Sequence, residues 1–405
     1  MLKRWMSQKN KLSFFFLLLT TVLPSDGSFS FKIESNSISL DSWFQKYNNF
    51  GIKKESLLLE TIYTKKISDK IKLSLDILIS PNNLYYKDSF ISYNFTDSTF
   101  LKMGKYYRDF SNYLNNSLSS GHLLVSNNAQ PLNKIGFNSS KKIKNLQFNF
   151  GLSHATLEKN ELYIKPPLIH EKYIYMSFNK VDQLFGIGFI HEAMWGGIIN
   201  SEDGRQGESF VDFLKIFISA DGPLNEGDAH ANALGNHLGL WEFFYEKKLS
   251  SNTIKVYYQH LFEDTSGLRF HNKYDGLWGL VIDSNHNSFL LEYLETTNQN
   301  IDPPYVDEAY YNHWIYDYGW SYKGLAIGNP HINPFEVVPI NVIHFASGLN
   351  YNNKSIIFRL SKKTNMKSHI NSMISFDYGE KDIFSISIYS ENNKFGVSLG
   401  YQIIL

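Results

Sequence analysis

The sequence predicts an all-β protein, a transmembrane antiparallel outer-membrane β-barrel with a lumen plugged by loops. Three observations predict it: apolar residues alternate with period two, the amino terminus is typical of an exported chain, and the composition is aromatic and low in charge. Of 405 residues, 16% are aromatic and 19% are charged, below the roughly 25% charged residues usual in soluble domains.

Residues 1–30 are typical of a secretory signal peptide. Four basic residues precede an apolar stretch at 12–23, and small residues follow it. This stretch is about half of the ~20 residues that a membrane-spanning helix needs, so we predict export without a helical anchor. The remainder, 31–405, is predicted to form one barrel domain.

Apolar residues alternate with small or polar ones along most of the chain. The clearest segments are 71–79, 146–152, 356–360 and 395–405, and this pattern predicts strands with one apolar and one polar face. The polar partners are mostly Ser, Asn, Gln and Gly, and many apolar strand ends are Phe or Tyr. Both features favour a lipid-facing barrel over the alternative, an exported soluble β-sandwich or propeller.

The strand count follows from the length. About 375 mature residues at about 20 residues for each strand and loop predict 16–20 strands. Beyond residue 30 the sequence shows no amphipathic helix of convincing length, and no segment has 18 consecutive apolar residues.

Charge and cysteine content exclude several functions. Thirty-nine basic residues balance 39 acidic ones, which predicts no nucleic-acid partner. The chain has no cysteine, which removes disulfides, thiolate zinc sites and cysteine nucleophiles. No H-E-x-x-H or nucleotide-binding glycine motif occurs, and no Ser lies in the elbow context of a G-x-S-x-G motif, so we expect no catalytic residue, metal or other cofactor.

The middle third of the chain is unusual. Ten of the 13 His lie between His154 and His331, and five of the seven Trp lie between Trp195 and Trp320. We expect long loops or lumen-filling segments here. Mixed aromatic, imidazole, amide and carboxylate groups suit sugar binding. A passive porin stays open as an alternative, and so does a glycan-acting enzyme in which Glu263 or Asp275 faces a second carboxylate.

The polar clusters carry a family resemblance. They are Gly151-Leu152-Ser153-His154, Trp195-Gly196-Gly197, Glu263-Asp264-Thr265-Ser266-Gly267, Asp275-Gly276-Leu277-Trp278 and Tyr311-Asn312-His313. In this order they resemble the Wzi-type capsule assembly family of bacterial outer-membrane proteins, in the version of its Bacteroidetes-type members. The amino-terminal helical bundle of enterobacterial members is not visible, and 37–51 has room for a short helix at most.

The resemblance implies a barrel of about 18 strands in the bacterial outer membrane, with a lectin-like, non-enzymatic role. Capsular polysaccharide or exopolysaccharide and outer-membrane lipid are the implied partners, polysaccharide export machinery is a further candidate, and a monomer is expected. The candidate polysaccharide-binding residues are His191, Glu192, Trp195, Glu263, Asp264, Arg269, Asp275, Trp278, Asn312, His313 and Trp320.

Overall fold

The computed structural model describes residues 27–37, 43–52, 55–201, 204–222, 233–263, 265–299, 308–365, 370–392 and 394–405, without the side chains of 265–266. The predicted signal peptide lies mostly outside these residues, and its cleavage stays a prediction. The first described strand begins at Gly27, four residues before the predicted start of the barrel domain.

The strands, in chain order, are β1 (Gly27–Asn36), β2 (Leu57–Lys66), β3 (Ile71–Ile79), β4 (Leu84–Tyr86), β5 (Ser89–Thr96), β6 (Thr99–Lys105), β7 (Asn133–Ile143), β8 (Leu146–Thr156), β9 (Tyr163–Lys165), β10 (Leu168–Lys180), β11 (Gln183–Trp195), β12 (Ile198–Ile199), β13 (Asn236–Lys248), β14 (Asn252–Phe262), β15 (Gly276–Ser284), β16 (Asn287–Glu295), β17 (Ser321–Tyr322), β18 (Leu325–Ala326), β19 (Asn341–Tyr351), β20 (Lys354–Lys363), β21 (Ile370–Tyr378), β22 (Asp382–Glu391) and β23 (Lys394–Ile404). The helices are α1 (Trp43–Lys46), α2 (Phe210–Ile218) and α3 (Thr265–Leu268).

The described strands close into an antiparallel barrel with 18 positions in its wall. β4 and β5 both pair with β3 and share one position, while β9, β12, β17 and β18 form two small separate sheets. The barrel closes where β1 pairs with β23, from Ser30 opposite Ile404 to Asn36 opposite Ser398. The predicted fold class and strand number are confirmed.

The two ends of the barrel differ in their connections. At one end the strands join through short turns such as 144–145, 181–182, 285–286 and 352–353. At the other end lie the long connections 106–132, 196–235 and 296–340. Since outer-membrane barrels have short periplasmic turns and long extracellular loops, we call the second end extracellular.

The outer face of the wall is apolar and the inner face is polar, as the alternation predicts. On β8, Phe150 and Leu152 are exposed on the outer face. The next residue, Ser153, points into the lumen, where its Oγ donates to the Glu171 carboxylate at 2.7 Å. On β23, Val397 and Leu399 are exposed, and Ser398 is buried. We call the exposed outer apolar side chains of the wall the lipid belt.

The hydrophobic core lies inside the barrel. Two extracellular connections, residues 106–132 and 308–340, fold into the lumen, and we call them together the plug. Their buried side chains include Leu123, Leu124, Tyr311 and Trp320, which pack with inward apolar residues of the wall in one cluster. The predicted plugging is confirmed, although segment 106–132 lies upstream of the middle third in which we expected lumen-filling segments.

Side-chain bonds to backbone groups join the two halves of the plug. Trp320 Nε1 donates to Leu124 O at 2.9 Å, and Asn128 Nδ2 donates to Ala326 O at 2.8 Å. Asn329 Nδ2 donates to Gly121 O at 2.7 Å. These bonds satisfy buried backbone carbonyls, which would otherwise cost about 1–3 kcal/mol each.

Two buried glutamates of the wall hold segment 106–132 in place. Glu242 on β13 accepts hydrogen bonds from Ser111 Oγ at 2.6 Å, from His122 Nε2 at 2.8 Å and from Tyr175 OH at 2.6 Å. The backbone N–H groups of Leu124 and Val125 donate to His122 Nδ1, which leaves the ring proton on Nε2 for Glu242.

Glu292 on β16 repeats this arrangement. It accepts from Ser119 Oγ and from the Ser120 backbone N–H, each at 2.7 Å, and from the Tyr257 hydroxyl. Each glutamate thus takes donors from the plug and one from a wall tyrosine. Hydrogen bonds to a charged group contribute about 1.5–3 kcal/mol each, so these two carboxylates contribute strongly to the attachment of the plug.

The tyrosines reach these glutamates across glycines. Tyr257, Gly279 and Glu292 lie opposite one another on β14, β15 and β16, and Tyr175, Gly188 and Glu242 do so on β10, β11 and β13. The absence of a side chain on the middle strand lets the ring lie flat across it. A Cβ at Gly279 would come within 2.0 Å of the Tyr257 ring.

The helices are short. α1 agrees with the expected short helix in 37–51. α2 contradicts the expectation that no convincing helix follows the signal: Ser209 and Asp212 form a capping box, and Ser219 ends the helix in a left-handed conformation. The sequence hides this helix because seven of its nine residues are apolar, and Asp212 and Lys215 form only a narrow polar edge. Among the described residues, no helix combines the length and apolarity needed to cross a membrane.

We predict that Gly279→Ala destabilises the barrel by about 1–3 kcal/mol, because the new methyl group displaces the Tyr257 ring from Glu292. The midpoint of urea unfolding, followed by the loss of the heat-modifiable band on gels, measures this. Gly348→Ala is the matched control. Gly348 also lies in a wall strand, but a Cβ there would meet its nearest neighbour, Leu118, at an ordinary 3.6 Å. Equal midpoints for the two variants would contradict the prediction.

We also predict that the native barrel conducts few ions in planar bilayers and that the double variant Glu242→Gln, Glu292→Gln conducts more. Each amide replaces one acceptor oxygen by an N–H₂ group that faces a donor and removes the negative charge, so the bonds that hold segment 106–132 are weakened. Glu246→Gln is the control on the same strand, because Glu246 pairs with Lys255 of the wall at 3.5 Å and its loss leaves the bond from Lys255 to Tyr113 O in place. High conductance of the native barrel would refute the sealing role.

Candidate functional site on the extracellular surface of the plug

Aromatic rings are exposed on the extracellular part of the plug. His313, Trp314, Tyr318 and Phe335 make up this surface, which we call the platform. Trp314 is 59% exposed and Phe335 is 51% exposed. Exposed rings at this end lie away from the lipid belt, and exposed apolar patches of soluble surfaces commonly mark binding sites.

A tight turn holds the Trp314 ring outward. The backbone N–H groups of Ile315 and Tyr316 donate to His313 Nδ1 at 3.1 and 3.3 Å, and the His313 ring stacks on Trp314 with centroids 5.7 Å apart. Asn312 Nδ2 donates to Asn333 O at 2.9 Å. The turn is therefore fixed to Asn333 further along the same segment of the plug. The Trp314 ring is thus already in position before any ligand binds.

Buried tyrosines support the platform from below. Tyr316 OH donates to Gly196 O at 3.1 Å. Tyr163 contacts both Tyr316 and Tyr318, with ring centroids 6.4 and 5.8 Å away. Tyr318 in turn meets Phe335 edge-on at 6.4 Å. These contacts make the platform one continuous aromatic cluster with a rigid base.

A charged rim lies beside the platform, next to the Gly196 carbonyl that Tyr316 binds. Lys165 and Glu208 form an ion pair, and Arg205 lies 4.0 Å from the same carboxylate. The Gly197 N–H also donates to Glu208 at 2.8 Å. The hydrogen bond from Lys165 lowers the pKa of Glu208 below its ordinary value, and the rim therefore carries two cations against one carboxylate.

Of the predicted site residues, Asn312 and His313 lie at the platform. Trp320 lies beneath it, fully buried, with its Nε1 bonded to the plug backbone. Its ring is therefore a support for the surface. Trp314 was missing from the prediction although it directly follows His313, because residue type does not tell which ring of an aromatic run stays exposed.

Three other predicted residues lie on the outer face of the wall. On β11, Glu192 faces the lumen opposite Glu171, so its neighbour His191 points outward, where its Nε2 lies 2.9 Å from His237 Nδ1. Trp195 also points outward. Trp278 stacks on the outward Tyr258, with ring centroids 3.8 Å apart. The sequence-predicted set thus does not meet in one site.

The remaining predicted residues belong to the connection between β14 and β15. Asp275 is fully buried; Asn298 N–H donates to its Oδ1 at 2.6 Å, and Tyr310 OH donates to its Oδ2. Burial raises the pKa of Asp275 to about 6. Arg269 is exposed and Glu263 is half-buried, whereas Asp264 lies outside the described residues.

Both oxygens of Asp275 are thus engaged, one with Asn298 and the other with Tyr310 of the plug. A hydrolytic pair requires two carboxylates about 5–9.5 Å apart on either side of a bound sugar, and the bonds of Asp275 do not leave it facing such a cleft. The described residues also hold no group of three or more His, Asp or Glu side chains that could bind a metal ion.

Solved structures are similar to this chain to different degrees. The Escherichia coli protein Wzi, described as an outer-membrane protein involved in group 1 capsule assembly and a carbohydrate-binding β-barrel, superposes with a TM-score of 0.63 at 13% identity, over 95% of this chain and 85% of that chain. Acinetobacter baumannii OccAB4 gives a TM-score of 0.42 at 10% identity, over 95% and 99% of the two chains. A Rhodopseudomonas blastica porin variant gives 0.37 at 9% identity, over 94% and 99%.

Among curated proteins, no sequence matches the chain. A family model does match it, and the match covers nearly all of the barrel. The family is described as Capsule assembly protein Wzi, the matched residues are 30–402, and the chain belongs to this family.

Proposed function

We propose that this protein is a non-enzymatic capsule assembly component that binds capsular polysaccharide or exopolysaccharide through the platform. Its family and its barrel imply the bacterial outer membrane. The observation that carries the proposal is the exposed Trp314 ring, held outward by the His313 turn above a filled lumen. The description of the Escherichia coli Wzi structure as carbohydrate binding supports the same class of ligand.

The chemistry of the platform suits sugar rings. A pyranose presents C–H groups on its face, and these pack against flat aromatic surfaces. Trp314 and Phe335 offer such surfaces, while the exposed Asp317 carboxylate lies between them in the chain and accepts hydrogen bonds from hydroxyl groups. A rigid base lowers the entropy cost of binding, because few side chains need to be ordered.

The rim extends the site toward acidic sugars. Lys165 and Arg205 carry two positive charges beside the single carboxylate of Glu208. Arg205 is 69% exposed at its side chain, and its guanidinium pairs with a carboxylate in bidentate geometry. We therefore propose that uronate-containing polysaccharide binds more tightly than neutral polysaccharide.

The filled lumen favours a surface anchor over a porin. A porin needs a continuous aqueous path, and Glu242 and Glu292 hold segment 106–132 across it. We propose that the barrel acts as a monomer, which is supported by the pairing of β1 with β23: it leaves the described wall no free edge strand for pairing with a second copy. Polysaccharide export machinery is a further proposed partner.

We predict that Trp314→Ala with Phe335→Ala weakens binding of purified surface polysaccharide by about 10- to 30-fold, equal to about 1.4–2 kcal/mol, because both stacking surfaces are lost. Tryptophan fluorescence or calorimetry on the detergent-solubilised barrel measures the dissociation constant, and retention of polysaccharide on cells expressing the variant gives the cellular readout.

Two matched aromatic controls accompany this experiment. Tyr351→Ala removes a ring that is 57% exposed at the periplasmic end, and Trp278→Ala removes an exposed tryptophan of the lipid belt. Both should retain native affinity. A platform variant that folds normally and binds as tightly as these controls would refute the site, whereas loss of binding in all three would point to a general folding effect and not to the platform.

A further inference from the structure

α2 packs against the outside of the barrel and not over its lumen. Ile216 is fully buried and packs with Ala193 and Trp195, which point outward from the end of β11. The Phe213 ring lies 5.5 Å from the outward His170 and 5.8 Å from Trp195. The helix therefore covers the outer face of β8, β10 and β11 at their extracellular ends.

The opposite side of α2 is apolar and uncovered. Phe210 is 73% exposed and Ile218 is 71% exposed, and Val211 and Leu214 are exposed with them. Apart from the narrow polar edge of Asp212 and Lys215, the helix is apolar, and such a helix is stable where both of its apolar sides meet an apolar environment. The barrel supplies one such environment, and the other must come from outside the chain.

Several backbone groups at the ends of α2 have partners within the protein. At its start, Ser209 Oγ accepts from the Asp212 N–H at 3.1 Å, and Asp212 Oδ2 accepts from the Ser209 N–H at 2.8 Å. At its end, Ala220 N–H donates to Lys215 O at 2.8 Å, and the Lys172 ammonium donates to Phe217 O. Backbone groups in contact with lipid require internal partners of this kind.

The layer beneath α2 is buried and mostly aromatic. His170 is fully buried, and Phe213 and Phe217 cover its ring, with ring centroids 5.5 and 5.3 Å away. α2 therefore covers this part of the outer wall.

The exposed side of α2 continues the lipid belt. Leu152 lies two residues from His154 on β8, and Ile174 lies two residues from Lys172 on β10. Both Leu152 and Ile174 are exposed on the outer face. Lys215 supplies a cation in the last turn of the helix. An apolar face with a polar edge of Asp212 and Lys215, beside a membrane-facing wall, matches the chemistry of a lipid–water interface.

We propose that α2 lies in the outer leaflet of the membrane and that Phe210, Val211, Leu214 and Ile218 contact lipid acyl chains. The helix thus widens the barrel's contact with the membrane on one side and holds the 196–235 connection at the membrane surface. This inference does not depend on polysaccharide binding, and a variant that fails to bind polysaccharide leaves it unaffected.

Site-directed spin labelling tests the proposal, because the chain contains no cysteine and each single-cysteine variant carries one label. Leu214→Cys reports on α2, Phe178→Cys in the lipid belt is the lipid reference, and Lys159→Cys in the exposed extracellular connection before β9 is the water reference. The full chain is reconstituted in vesicles of outer-membrane lipid, and collisions with oxygen and with a water-soluble nickel chelate are measured.

We expect the Leu214→Cys label to match the Phe178→Cys label, with high oxygen access and low nickel access. Nickel access equal to that at Lys159→Cys would place α2 in water and overturn the proposal. Protection from both reagents would indicate a protein partner or a second copy and would also overturn it. Heat-modifiable migration on gels establishes that each variant is folded, and Val211→Cys replaces Leu214→Cys if the latter does not fold.

Discussion

The inside of this barrel depends on one repeated contact. A wall tyrosine lies across a glycine of the next strand and donates a hydrogen bond to a buried glutamate. Tyr257 crosses Gly279 to Glu292, and Tyr175 crosses Gly188 to Glu242. The glutamates then accept donors from the plug. Because a buried carboxylate without partners is strongly unfavourable, wall and plug depend on each other, and the same bonds that stabilise the lumen also close it.

A closed lumen moves function to the two surfaces that remain. At the extracellular end the plug becomes a floor, on which the His313 turn presents Trp314 to solvent. Around the wall, apolar side chains face lipid, and α2 adds to them at one side. Aromatic residues serve in all three places, as core inside, as platform above and as belt outside, which explains why a high aromatic content alone does not identify a binding site.

Much of the fold could be predicted because period-two alternation is a local signal. The alternation at 146–152 and 395–405 requires only that neighbouring side chains point to opposite faces. The resemblance of its clusters to the Wzi-type family then fixed the class. The candidate site was harder to predict. Asn312 and His313 lie at the platform, but Trp278 lies in the lipid belt. Strands of the same composition can present an aromatic ring to either face, so composition did not show which way Trp278 points.

Strand period, composition and motif order are enough to predict a closed barrel with an apolar exterior, a polar interior and the class of ligand to consider. They do not predict which residues act together. Tyr257, Gly279 and Glu292 come from three strands, and segment 106–132 meets 308–340 only inside the lumen. Such groupings depend on strand register and on the path of long loops, which no local pattern encodes.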